Sequence, residues 1–134
     1  MRPPGTLLLL ISVVLAPLAG VAAQESNGQS RPNVFFDCDG RNCNNEYYRT
    51  EIDWVNWVRD REAADVHLIM TSTNTGAGGR EYRLDFLGHG ALDGYEDTHL
   101  FQTLSTDTDR EQLDQISHML GIGLALFANT AGSR

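Results

Sequence analysis

Lysine is absent from this 134-residue sequence: all ten basic residues are arginine, and they face 18 aspartate and glutamate residues, for a formal net charge of −8. Proteins that bind nucleic acids or anionic membranes use a basic surface to displace counterions. The acidic balance therefore argues against both kinds of partner. Hydrophobic residues make up 41% of the chain, which is enough to form the packed core of one domain.

A hydrophobic run long enough to span a bilayer is also missing, because the apolar stretch 6–18 is shorter than the roughly 20 residues required. Arg2 precedes this stretch and small residues follow it up to Ala23. This pattern predicts a signal peptide over residues 1–23 and export to the periplasm or cell envelope. No cysteine follows the small residues, so we expect no direct lipid anchor. A polar, flexible leader is predicted over 24–32.

Cysteine is scarce, with Cys38 and Cys43 as the whole complement. In an exported protein such a pair is predicted to form a disulfide. A thioredoxin-type redox pair has two residues between its cysteines rather than four, which disfavours a catalytic dithiol. Closing so short a loop stabilises a protein by only about 2 kcal/mol in the chain-entropy model, so the bridge is expected to shape a loop.

Hydrophobic periodicity predicts one α/β domain over residues 33–130 with the element order β-α-β-β-β-α. We expect a two-layer α/β sandwich, in which two helices cover one face of a mixed sheet. The predicted strands are 33–37, 65–72, 80–87 and 99–104, and the second and third form a hairpin across a glycine-rich loop. One predicted helix spans 50–64 and is capped by Thr50. The other follows a Thr108–Glu111 capping box.

The segment Val55–His67 (VNWVRDREAADVH), with its flanking stretches 47–54 and 78–86, resembles an exported bacterial family of the VxxVRDRxxADVH type. In longer members of that family, such segments precede a membrane β-barrel-like region. The order of elements is more remotely similar to the envelope domains of the TolB amino-terminal and CsgG type, which are non-enzymatic α/β modules. The resemblance implies an envelope module, and it implies that this chain is the N-terminal part of a longer barrel-containing protein or a stand-alone relative.

Aromatic residues cluster around the first predicted helix, at Tyr47, Tyr48, Trp54 and Trp57. Aromatic side chains and arginine are frequent anchors of protein interfaces. The cluster therefore predicts a surface for an envelope protein or for self-association. The alternative is that Trp54 belongs to the core and the tyrosines flank it.

Oxygen-bearing side chains recur at near-alternate positions in the cysteine loop and just after it, and calcium prefers several oxygen ligands from one loop. The candidate calcium ligands are Asp37, Asp39, Asn42, Asn44 and Glu46. The loop departs from the EF-hand pattern, and its alternative role is a disulfide-closed turn with local hydrogen bonds.

The sequence contains neither a G-x-S-x-G nucleophile motif nor an HExxH zinc motif. A zinc site joining His89, His99 and Glu96 is the remaining metal hypothesis, and it would fit a small secreted metal-dependent hydrolase. A calcium-stabilised extracellular module is the third alternative. We expect instead a non-catalytic exported module that binds or scaffolds protein partners.

Overall fold

The computed structural model describes residues 4–5 and 31–132. The predicted signal peptide and leader fall outside these residues, apart from Pro4–Gly5 and Arg31–Pro32. The strands are β1 (Asn33–Cys38), β2 (Asn56–Val58), β3 (Val66–Asn74), β4 (Arg80–Gly88) and β5 (Glu96–Thr103), and the α-helices are α1 (Asn45–Glu51) and α2 (Asp109–Gly132).

The five strands form one mixed sheet in the order β2-β1-β3-β4-β5. Strand β1, second in this order, is parallel to both of its neighbours, β2 and β3. The β3–β4 and β4–β5 pairs are antiparallel, and β3 and β4 form the predicted hairpin through nine consecutive residue pairs. The predicted two-layer α/β architecture is confirmed, with one strand more than the sequence predicted.

The predicted helix 50–64 is wrong. Helix α1 begins earlier, at Asn45, because Asn44 caps it by accepting a hydrogen bond from the Tyr47 amide. Thr50 does not cap a helix; its hydroxyl donates to the Glu46 carbonyl within α1. After α1 the chain forms a turn, the short strand β2 and a 3-10 turn at Arg61–Ala63.

The three-residue spacing of Ile52, Val55 and Val58 has a different origin from a helical stripe. Ile52 and Val55 reach the core from the turn that follows α1, and both are buried. Val58 lies in β2, where it is paired with Phe35 of β1. β-Branched residues fit strands better than helices, which agrees with this outcome.

Both helices pack against one face of the sheet, which we call the helix face. Along each strand successive side chains alternate between the two faces. The helix face of β3 and β4 carries six buried apolar residues: Val66, Leu68, Met70, Tyr82, Leu84 and Phe86. They join Val34, Tyr48 and the buried stripe of α2 in one core: Ile116, Leu120, Leu124 and Phe127.

Helix α2 begins at the predicted capping box. The Glu111 amide donates to the Thr108 hydroxyl, and the Thr108 amide donates to the Glu111 carboxylate. Farther along α2, Gly123 lies so close to the core that a Cβ atom there would approach Cζ of Phe86 to 2.2 Å. Gly121, two residues earlier, has open space in the same position. The missing side chain of Gly123 therefore allows α2 to rest on the ring of Phe86.

The opposite face of the sheet, which we call the open face, is covered by neither described helix. It carries Phe35, Ile69 and Leu87, which are partly exposed, together with charged and polar residues. The segments around Arg61 and His89 reach over part of it: the Arg61 guanidinium lies 5.6 Å from the centre of the Phe35 ring, and His89 stacks on His67.

Candidate functional site

The predicted disulfide joins Cys38 and Cys43. It closes a loop at the end of β1, and Asn42 in this loop has a positive φ of 64°. The Asn42 amide group donates to the Tyr82 hydroxyl at 2.7 Å and to Oε1 of Gln112 at 2.9 Å. Its carbonyl accepts a hydrogen bond from the Tyr48 hydroxyl. The loop is thereby attached to α1, α2 and β4 at once.

The five candidate calcium ligands are directed to different places. Asp37 lies on the open face, where its Oδ2 is 3.6 Å from Nε2 of His67 and 3.9 Å from the Arg61 guanidinium. The Asn42 side chain is hydrogen-bonded to Tyr82, and the Asn44 side chain caps α1. Asp39 and Glu46 are exposed. Among residues 4–5 and 31–132, no three His, Cys, Asp or Glu side chains are grouped to hold a metal ion.

The geometry also argues against the predicted zinc site of His89, His99 and Glu96. His99 is on the helix face, packed edge-on against Phe86 and 3.0 Å from Asp97. His89 instead stacks over His67 on the open face. Because the sheet separates these two imidazoles, they do not share a metal centre.

Two of the four predicted interface aromatics have structural roles. Tyr48 is fully buried, and burial raises the pKa of its hydroxyl. Trp57 packs against Phe36, and its Nε1 donates to the Ile52 carbonyl at 2.8 Å, which helps to fix the chain after α1. Substitution of either residue would disturb the fold, so neither can report on binding.

Tyr47 joins α1 to α2 at the surface. Its hydroxyl donates to the Asp114 carboxylate, and the Arg110 guanidinium lies 5.0 Å from the centre of its ring. The hydrogen bond to Asp114 raises the pKa of Tyr47 and lowers the pKa of Asp114. Arg110 also binds Asp114 one helical turn away. The three residues form a surface link between the two helices.

Trp54 alone of the predicted four is an exposed aromatic, with 38% of its surface accessible. It lies beside α2, where a groove runs between the end of α1 and the residues Ile122 and Ala125. Ile122 is also 38% exposed and Leu126, one turn farther on, is 51% exposed. We call the groove residues Trp54 and Ile122 the Trp54 surface. The sequence pointed to Trp54 but missed Ile122, which lies two residues from both Leu120 and Leu124 and therefore on a different side of α2 from the buried stripe.

Acidic groups border this surface. Glu51 and Asp114 line the groove together with His118. Asp114 is engaged by Tyr47 and Arg110, as described above, whereas Glu51 is exposed at the end of α1. The Trp54 surface is therefore apolar at its centre and partly acidic at its rim.

A second cluster occupies the open face around His67, which is only 7% exposed. Its ring contacts Phe35 edge-on and stacks on His89 with ring centres 6.0 Å apart. Nε2 of His67 and Nε2 of His89 are both shielded from solvent, and neither has a hydrogen-bond partner among residues 31–132. Burial and the positive charge of Arg61 lower the pKa of His67, and the Asp37 carboxylate opposes this shift.

Neither a protein-family profile, nor a curated protein, nor a solved structure matches this chain. The resemblance suggested by the sequence motif therefore remains a prediction. Function has to be argued from the site itself.

The titratable groups with displaced pKa values do not gather in one cleft. They belong to the α1–α2 link, to the buried Tyr48 and His67, and to an ion pair on β4 in which Arg83 lowers the pKa of Asp85. Catalytic sites usually bring such groups together around a cavity.

No helix in the described parts of the chain has the length and apolar character needed to cross a membrane.

Proposed function

We propose that this chain is an exported, non-catalytic module of the bacterial cell envelope that binds a protein partner through the Trp54 surface. The observation that carries the proposal is the exposure of two large apolar side chains, Trp54 and Ile122, that line one groove. Contiguous exposed apolar residues with a polar rim are typical of protein interfaces, and tryptophan is enriched among the residues that dominate binding energy.

The charge around the groove indicates the chemistry of the partner. Glu51 lines it at the exposed end of α1, and the whole chain has a formal net charge of −8. A complementary partner segment would present apolar side chains to Trp54 and Ile122, with arginine or lysine beside them. Opposite charges at the rim of an interface increase the association rate and suppress wrong partners.

Export is supported by the sequence pattern of residues 1–23, and the disulfide agrees with an oxidising compartment. Absence of a shared catalytic cleft among the described residues favours binding over hydrolysis.

Affinity capture with purified variants tests the proposal. Wild-type protein, Trp54→Ala and Ile122→Ser are each used as bait in envelope extracts of the organism that makes the protein. The matched control is Leu104→Ala, because Leu104 is 66% exposed but lies at the end of β5, away from the groove.

We expect the wild type and Leu104→Ala to capture the same protein, and Trp54→Ala and Ile122→Ser to lose it by tenfold or more, which corresponds to a loss of about 1.4 kcal/mol or more. Equal capture by all four baits would refute the proposal. Thermal unfolding of each bait shows whether a loss comes from unfolding instead.

A further inference from the structure

Strand β5 forms an edge of the sheet with little of the usual protection against pairing, apart from the Asp97 carboxylate, which accepts a hydrogen bond from the Thr98 amide. It is bound to β4 through eight consecutive residue pairs without a bulge, and no described strand lies on its other side. Natural edge strands are commonly protected by lysine, proline, bulges or short length. The sequence of β5, EDTHLFQT, contains neither lysine nor proline, and eight residues is long for an edge.

Charge is distributed unevenly along this edge. The carboxylates of β5 belong to Glu96 and Asp97 at its beginning, whereas the residues from Leu100 to Thr103 are uncharged. If two such strands paired in parallel and in register, carboxylates would face carboxylates. In an antiparallel pair the acidic beginning of each strand faces the neutral end of the other. The antiparallel orientation therefore avoids the carboxylate repulsion that a parallel pair would have.

We propose that two copies of this chain associate by antiparallel pairing of β5 with β5, around a two-fold axis that is perpendicular to the sheet and passes beside Leu100. A two-fold axis makes such an interface self-complementary, and it joins the two sheets into one sheet of ten strands. This second surface is independent of the Trp54 surface.

The side chains select the register. With Leu100 on the axis, Leu100 faces its own copy on the open face, Thr98 faces Gln102, and His99 faces Phe101 on the helix face. Leu100 is 59% exposed in the single chain and would be covered by this contact. The neighbouring registers, with His99 or Phe101 on the axis, leave Leu100 opposite Thr98 or Gln102. On the open face the first register pairs apolar with apolar and polar with polar side chains, so it is favoured.

Overall repulsion opposes this association, since each copy has a formal net charge of −8. Salt screens charges separated by more than about 10 Å at 0.1 M ionic strength, whereas main-chain hydrogen bonds and the Leu100 contact are short-range. The dimer should accordingly form at high protein concentration and become more abundant as salt is added.

Sedimentation equilibrium of the purified chain at several concentrations and salt concentrations tests the proposal. Leu100→Lys places two ammonium groups beside each other on the axis and should shift the dimer dissociation constant upward by at least tenfold. Ile122→Lys makes the same chemical change on the Trp54 surface and should leave the dissociation constant unchanged. A monomer under all conditions would overturn the proposal. So would a dimer that Ile122→Lys dissociates and Leu100→Lys does not, which would assign self-association to the Trp54 surface.

Cysteine cross-linking tests the register. Opposite residues of an antiparallel pair have Cβ atoms about 4.5–5.5 Å apart, so Leu100→Cys should form an intermolecular disulfide under mild oxidation. Gln102→Cys is the control, because it faces Thr98 of the second copy and lies roughly 13 Å along the strand from its equivalent. Cross-linking of Gln102→Cys as efficiently as Leu100→Cys would overturn the proposed register. Loss of partner capture in the Trp54 variants has no bearing on either result.

Discussion

Gly121 and Gly123 provide a matched test of how α2 rests on the sheet. Alanine is favoured over glycine inside a helix by about 1 kcal/mol. At Gly121 an added Cβ meets nothing within 4 Å, so Gly121→Ala should raise the free energy of unfolding by about that amount. At Gly123 the same Cβ would lie 2.2, 2.5 and 2.9 Å from three ring atoms of Phe86.

Relief of these contacts requires movement of a fully buried ring or of the helix. Overpacking of a core typically costs about 1–3 kcal/mol, and three simultaneous contacts place Gly123→Ala near the upper end. The helix-propensity gain is common to both variants and cancels in their difference. The two variants should therefore differ by about 2–3 kcal/mol, with Gly121→Ala more stable than the wild type and Gly123→Ala less stable.

Urea denaturation followed by circular dichroism measures both free energies of unfolding. A domain of this size shifts its melting temperature by about 4–8 °C for each kcal/mol, so thermal scans give a second measure. Replacement of the ring in Phe86→Leu should remove most of the penalty of Gly123→Ala in the double variant. Equal stabilisation by the two glycine substitutions would refute the packing of α2 on Phe86.

Three further predictions concern the disulfide loop and the His67 cluster. Asn42→Gly should lower the free energy of unfolding by about 2 kcal/mol, because two side-chain hydrogen bonds are lost. Asn42→Ala should lower it by about 1 kcal/mol more, because alanine is strained at the positive φ of this residue. The paired change Cys38→Ser and Cys43→Ser should cost about 2 kcal/mol. The pKa of His67 is lowered in the folded chain, so as pH falls below 6.5 the unfolded chain binds a proton more readily than the folded chain does. The free energy of unfolding should therefore decrease on acidification, and it should decrease less steeply in His67→Gln.

Each of these has an outcome that contradicts it. Equal stability of Asn42→Gly and Asn42→Ala in urea denaturation would contradict the predicted strain of alanine at the positive φ of residue 42. A complete loss of folding without the disulfide would show that the bridge does more than shape a loop. An unchanged slope of stability between pH 7 and pH 5 in His67→Gln, compared with the exposed control His118→Gln, would contradict the assignment of that slope to His67.

The parts of the fold that sequence predicted well are those with a long, regular pattern. In β4, apolar Tyr82, Leu84 and Phe86 alternate with charged residues, and only a strand with one buried face satisfies that period. The capping box at Thr108 and the apolar spacing of α2 likewise point to one structure. The same alternation predicts which residues of β3 and β4 share a face, and the structure adds their register.

The region from Asn44 to Val58 was mispredicted because its apolar spacing fits one long helix, whereas the chain forms a short helix, a turn and a strand there. Ile52, Val55 and Val58 repeat every three residues, which imitates a helical stripe. The decisive contacts are tertiary: Trp57 donates to the Ile52 carbonyl, and β2 pairs with β1. Asn44 was a recognisable capping residue, and greater weight on it would have placed α1 correctly.

The candidate surfaces could be predicted only in part. Tryptophan at position 54 was a visible signal, but the contribution of Ile122 depends on which side of α2 faces the sheet. The open edge at β5 depends on strand order, which the sequence pattern leaves undetermined. The oxygen-rich loop looked like a cation site because spacing along the chain does not show that Asn42 turns inward and Asn44 caps α1.

The central claim is that Trp54 marks the surface that a partner protein binds. The most direct measurement places a photo-crosslinking amino acid at position 118, which is exposed in the groove and leaves Trp54 intact, and illuminates cells that export the protein. The same replacement at the exposed Leu104 is the control. The account predicts a specific cross-link to the partner protein from position 118 and no cross-link to that protein from position 104. Absence of the product at position 118, or the same product from both positions, would contradict it.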